Sequence, residues 1–243
     1  MRALVEGADL DLPTPAEGWD VRDTVSHLAG TDVEAVRALT DPEGFVAGLS
    51  RTGEVADLLA GQLASRRRLA RAELLDQWQS GFTSLVRAFP TVAPGTRIPW
   101  YGPPMSPASF ATARLMEYWA HGQDVADAMQ VERHPTARLR HICHLGFLTR
   151  GFAYANRGLV PPVEPVAVEL TAPDGSAWRF GAADAPDRVE GPAVDFCLLV
   201  TQRRHRADTA LVATGTAADG WLDVAQCFAG PPGAGRSRSS ELA

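Results

Sequence analysis

The chain has 243 residues, 45% of them hydrophobic and 21% charged, with a formal net charge of -6. That composition fits one large or two smaller globular domains with a real core. The negative balance disfavours nucleic acid and anionic membranes as partners, and no apolar run approaches the ~20 residues that span a bilayer.

The N-terminus, MRALVEGADLDL, lacks a basic start and a long apolar stretch, which predicts a cytoplasmic protein. The first long helix is expected from Trp19 to Thr40, after a Pro-Thr-Pro turn, with Asp20 as its cap and Asp23 three positions on. Further helices are expected over about Gly53 to Arg68 and Ala72 to Phe89. Pro90 to Pro104 holds five prolines and two glycines and reads as a loop. Ser106 then caps a fourth helix, with Pro107 at its first position, running to about Met129. A fifth is expected from Pro135 to Arg157.

The texture changes at Gly158. Val166 to Thr171 and Trp178 to Phe180 alternate around Pro173-Asp174-Gly175, a hairpin signal. Helices follow over Val194 to Arg204 and Asp219 to Phe228. The expected organisation is α+β: a helical part over 1–157, a small α+β part over 158–232, and a disordered tail over 233–243. Cys143, Cys197 and Cys227 lie far apart in apolar settings and are odd in number, so buried thiols are expected rather than a disulfide framework.

The fourth helix carries the sharpest signal. Arg114, Glu117, His121 and Asp124 fall at i, i+3, i+7 and i+10, on one stripe. Glu117 and His121, one turn apart, can converge on a metal beside the helix. The bland alternative is a solvated face with an Arg114–Glu117 ion pair and a surface histidine. Val21, Val25, Leu28, Val36 and Leu39 share a face of the first long helix and His27 projects nearly opposite, so periodicity predicts an exposed His27. His141 and His144 read as packing or surface residues. His205 ends the run Gln202-Arg-Arg-His-Arg, either a solvated helix end or an anion-binding patch.

Two segments carry a resemblance: Leu12 to Gly30 (LPTPAEGWDVRDTVSHLAG) and Ala113 to Asp124 (ARLMEYWAHGQD). They resemble the signatures of mycothiol-dependent maleylpyruvate isomerase-like proteins, of the DinB-like superfamily of metal-binding up-and-down four-helix bundles. The resemblance implies a metal, zinc by type, on His27, Glu117 and His121, with Asp124 behind them and Arg114 near the cofactor. The segment Leu198 to Arg204 (LLVTQRR) is similar to the family's small α+β domain, and implies that Arg203 or Arg204 holds substrate or thiol. Two departures stand out: only twelve residues precede Pro13, where the family has a longer helix, and the loop from Pro99 to Ser106 (PWYGPPMS) is more elaborate than the family pattern. The implied function is a divalent-metal enzyme using mycothiol as co-substrate, a cis–trans isomerase or thiol S-transferase on a small carboxylate-bearing molecule, as monomer or homodimer. The alternatives are a hydrolase with Asp124 as general base, and a non-catalytic metal-binding or regulatory protein.

Overall fold

The computed structural model describes residues 1–49, 55–233 and 235–238. Gly53 and Glu54 of the second expected helix, and most of the expected tail, lie outside them. The chain divides into two compact units, Met1–Arg133 and His134–Ala243.

The first unit is helical: α1 (Arg2–Gly7), α2 (Val21–Thr40), α3 (Pro42–Leu49), α4 (Val55–Arg66), α5 (Arg71–Ala88) and α6 (Pro107–Ala128). The α2 helix starts at a capping box: Asp20 Oδ1 accepts from the Asp23 N–H at 2.7 Å, and the Asp20 N–H donates to Asp23 Oδ2 at 3.3 Å. Its apolar face, Val21, Val25 and Leu28, is fully buried with Leu74, Trp78 and Val125. A second cluster gathers Ala35, Phe45, Leu85, Ile98 and Phe110. The proline-rich loop is tied by a two-bond bridge, with Ile98 N–H to Met105 O at 2.8 Å and Met105 N–H to Ile98 O at 2.9 Å. Trp100 in that loop stacks on Phe45 at 5.6 Å.

The second unit begins with α7 (Leu139–Leu148) and α8 (Arg150–Ala155), followed by β1 (Val166–Thr171), β2 (Ala177–Phe180) and β3 (Asp187–Pro192). It continues with α9 (Ala193–Val200), β4 (Val212–Thr214) and α10 (Thr216–Val224). The sheet order is β2-β1-β3-β4, with β1 and β3 parallel and the outer pairings antiparallel. The class is α+β, as expected, and the hairpin turns at Gly175 with φ 82°.

Four expectations need correction. The division falls after Arg133 rather than near Gly158, because α7 packs on α9. A Cβ on Gly146 would lie 3.0 Å from the Phe196 and Val200 side chains, so the glycine eases that close approach. The fifth helix is two, broken at Thr149, whose backbone leaves helical geometry at φ -90° and ψ 9° while its hydroxyl donates back to Leu145 O at 2.9 Å. The α9 helix stops at Val200. Gln202 takes φ 58°, Arg203 N–H reaches Leu198 O at 2.7 Å and Gln202 N–H reaches Leu199 O at 2.8 Å, a Schellman closure. With glutamine where glycine is usual, the stop left no signature. The α10 helix starts early because Asp187, on β3, accepts from the Ala217 and Ala218 N–H groups at 2.6 and 3.0 Å. All three cysteines are buried thiols, and Cys143 and Cys197 meet with sulfurs 3.4 Å apart.

Candidate metal centre

The centre grows from α2 and α6 of the first unit. Ser106 caps α6, its Oγ accepting from the Ser109 N–H at 3.1 Å, with Pro107 at the first position. Two turns in, the stripe Arg114, Glu117, His121, Asp124 faces α2. The chain from Leu10 to Val21 folds back on itself: Val21 N–H donates to Leu12 O at 3.1 Å and Thr14 N–H to Trp19 O at 2.8 Å. Gly18, at φ 74°, makes the turn that places Trp19.

His27 is not on an exposed face. Its side chain keeps 16% of its surface, because α6 and Trp19 cover it. Its Nε2 lies 3.4 Å from Glu117 Oε2, and His121 Nε2 lies 3.3 Å from the same oxygen. One ligand atom from each of the three residues lies within 4.8 Å of the others. Trp19 stacks on His121, with ring centres 5.8 Å apart and planes 9° apart. On the far side of that ring, His121 Nδ1 lies 3.3 Å from Oδ2 of the fully buried Asp124.

The donor set fits a zinc-type ion. Ligands bonded at 2.0–2.1 Å to a tetrahedral centre stand about 3.3–3.4 Å apart. The two nitrogen-to-oxygen separations here already have that length. Two imidazoles and one carboxylate leave a fourth position for a further ligand. Electrostatics agree in direction. Burial pushes His27 below the usual histidine range against the pull of Glu117, which favours the neutral imidazole a metal needs. Burial alone would raise Glu117, yet hydrogen bonds from His121 and His27 hold it well below the carboxylate range.

The polar face of α2 is buried along most of its length: Asp23, Ser26, Thr31 and Asp32 are at 3% exposure or less. Arg114 does not form the Glu117 ion pair of the solvated-face alternative. Its Nη2 donates to Asp32 Oδ1 at 3.1 Å and to Thr31 Oγ1 at 2.9 Å. The Tyr118 hydroxyl donates to Asp32 Oδ2 and accepts from Trp78 Nε1 at 2.9 Å. Thr31 Oγ1 donates to the carbonyl of His27 at 2.9 Å. One chain of hydrogen bonds thus joins α5, α6 and α2 beside the three donors. Asp32, Tyr118 and Trp19 were not singled out from the sequence. The available signal was Thr31-Asp32, poor helix formers in mid-helix near His27.

Arg203 and Arg204 belong to the second unit, in the segment after α9. Arg203 Nη1 donates to Thr201 O at 2.7 Å and Arg204 Nη1 to Arg203 O at 2.9 Å. On α7 the exposed His144 stacks on Phe180 at 5.7 Å. Among the described residues no helix is long and apolar enough to cross a membrane.

Comparison with known proteins gives a consistent result. Residues 1–126 match the family model described as mycothiol maleylpyruvate isomerase N-terminal domain, and residues 162–214 match one described as wyosine base formation. Two uncharacterized proteins of Mycobacterium tuberculosis, from strains CDC 1551 and H37Rv, are each 47% identical over 228 residues, covering 92% of this chain and 88% of the relative. The crystal structure of the mycothiol-dependent maleylpyruvate isomerase matches with a TM-score of 0.56 at 14% identity, over 87% of this chain and 86% of that one. A histidine-to-alanine mutant of that enzyme matches with a TM-score of 0.57 at 13% identity. At such identities the structural likeness is one of fold.

Proposed function

Since the chain belongs to the family of the mycothiol maleylpyruvate isomerase N-terminal domain, we propose that it is a divalent-metal enzyme using a low-molecular-weight thiol of the mycothiol type. Its substrate is a small carboxylate-bearing molecule, and its reaction a cis–trans isomerisation or a thiol S-transfer. The observation that carries this reading is the convergence of His27, Glu117 and His121 on one point.

His27, Glu117 and His121 would hold a zinc-type ion, and the chemistry it would supply is stabilisation of a thiol as its thiolate near neutral pH. The protein's own groups do the rest. Asp124 accepts the Nδ1 proton of His121, which turns the Nε2 lone pair inward and fixes the ring. Glu117 brings one negative charge to the centre. Trp19 packs over both imidazoles and keeps water from that side. Arg114, expected to contact the cofactor, is better cast as a positioning residue, since Asp32 and Thr31 bind its Nη2. The planar fork of Arg203 or Arg204 holds the substrate's carboxylate.

The hydrolase reading needs a base beside the open position. Asp124 is fully buried and lies against Nδ1 of His121, the nitrogen away from Glu117, so it serves to orient the ring instead. The test is turnover of maleylpyruvate-type substrates by metal-loaded protein with and without mycothiol. Thiol-dependent turnover is expected, lost in Arg203→Lys or Arg204→Lys with fold and metal retained. Thiol-independent turnover would establish the hydrolase. Full turnover in both lysine variants would remove the carboxylate clamp from the account.

A further inference from the structure

The loop between α5 and α6 is a built element. The Ile98–Met105 bridge closes it, and Arg97 Nη2 donates to the Pro104 carbonyl across the same neck. Inside it, Trp100 stacks on Phe45 with planes 3° apart and meets Phe110 edge-on at 5.0 Å. The Tyr101 ring lies 4.7 Å from that of Trp100 and 5.8 Å from that of Phe45, so packing fixes where its hydroxyl points.

That hydroxyl is buried and has no hydrogen-bond partner among the described residues. A polar group withdrawn from water without a partner bears its full desolvation cost, so a fold keeps few of them. Its surroundings are defined. Burial and the Glu34 carboxylate push the phenol up to about 12, while Arg114 pulls it down. It is therefore a neutral O–H donor at any working pH. Arg114 has a donor left over as well: its Nη2 serves Asp32 and Thr31, while its Nε is buried with no acceptor among the described residues.

Glu34 and Arg114 belong to the two helices that carry the metal donors. Those helices run antiparallel there, since His27 meets Glu117 while Thr31 and Asp32 meet Arg114. At 1.5 Å per residue, Arg114 lies about 4.5 Å along the axis from Glu117, and Glu34 about 10 Å from His27. Resting on the reading of a thiol held at the three donors, we infer that Tyr101 selects that thiol. Its hydroxyl donates to a neutral amide or hydroxyl oxygen borne roughly 5–10 Å from the sulfur. Neutrality follows from Glu34, whose carboxylate repels an anion at that spot, while the charge of Arg114 is already met by Asp32. The substrate's carboxylate has its own partner in the proposed arginine fork, which leaves the body of the thiol for Tyr101.

Calorimetric titration of the zinc-loaded full chain with mycothiol, and separately with ethanethiol, tests it. Ethanethiol has the sulfur and no oxygen. The parent should bind both, mycothiol the more tightly. Tyr101→Phe keeps the ring and removes only the hydroxyl. It should weaken mycothiol by about tenfold and leave ethanethiol within about twofold. Equal mycothiol affinity in parent and variant would leave the hydroxyl to water and overturn the assignment. The same loss for both thiols would overturn it too, making Tyr101 a support of the metal centre. So would mycothiol binding the parent no more tightly than ethanethiol. Binding of neither thiol to the parent would sink the thiol reading itself, and the assignment with it.

Discussion

Two polar helix faces in the first unit, one on α6 and one on α2, look alike in sequence and behave alike in the structure, yet only one was readable. On α6 the residues that matter share a stripe, so spacing alone places Glu117, His121 and Asp124 together. On α2 the polar face, Asp23, Ser26, His27, Thr31 and Asp32, looks like the solvent side of an amphipathic helix. It is buried instead, because Arg67 engages Asp23, Trp19 lies over His27, and Arg114 and Tyr118 of α6 engage Asp32. Periodicity reports which residues share a face. It does not report whether that face meets water or a second polar helix. A helix polar on one side and apolar on the other can be covered on both when its charged groups are paired, as Asp32 is with Arg114 and Asp23 with Arg67.

The comparison breaks most decisively at the three donors. His27→Ala, on the face periodicity assigned to solvent, should lower bound metal from near one per chain to well below it, as severely as His121→Ala does. Metal analysis of purified protein checks this, and full occupancy in His27→Ala would return His27 to the surface role its spacing suggested. Next in size is Asp32→Ala. It strands the buried Arg114 guanidinium and removes the acceptor of Tyr118. Breaking one side of a buried pair costs about 3–5 kcal/mol. Urea unfolding of the metal-free protein measures it, and a loss under ~1 kcal/mol, the range of surface pairs, would mean that this α2 face is solvated.

What the sequence made legible follows the same division. The α2 and α6 starts were readable because their caps are local, Asp20 with Asp23 and Ser106 with Pro107. The start of α10 was not, because its cap, Asp187, sits on another element. The end of α9 was missed because Gln202 takes the left-handed conformation that glycine usually marks. At the site, Glu117 and His121 could be paired from spacing, while His27 entered through resemblance to a family. Asp32 was invisible, since its partners Arg114 and Tyr118 meet it only once α2 lies against α6. The meeting of Cys143 and Cys197 is likewise a product of α7 packing on α9.

A smaller effect sharpens the role of the α6 stripe. Asp124→Asn preserves shape but removes the charge beside His121 Nδ1. Losing such a partner typically lowers metal affinity by about 10–100-fold. Competition with a chelator at fixed pH would read this, with His121 still bound. Unchanged affinity would show that Asp124 fills space behind the imidazole without orienting it.

The smallest expected effect concerns the other end of the comparison, the start of α2. Asp20→Ala removes the side chain that accepts from the Asp23 N–H, and loss of such a cap costs about 1 kcal/mol. Burial raises the carboxyl of Asp20 above its usual range, against the lowering effect of its bond from Asp23. The sign follows: a carboxyl raised by folding is disfavoured in its charged form, so its ionisation lowers stability as pH climbs from the unfolded value through the folded one. A neutral cap escapes that penalty. Asp20→Asn should therefore match or exceed the parent at pH 7, while Asp20→Ala falls below it in urea unfolding. Metal affinity should stay level in both, because the Asp32–Arg114 pair and the Thr31 bond to the His27 carbonyl, more than a turn further on, hold His27 against α6. A fall of metal affinity in Asp20→Ala as large as that in Asp124→Asn would mean that the helix start, and not the buried pairing of α2 with α6, sets where His27 points.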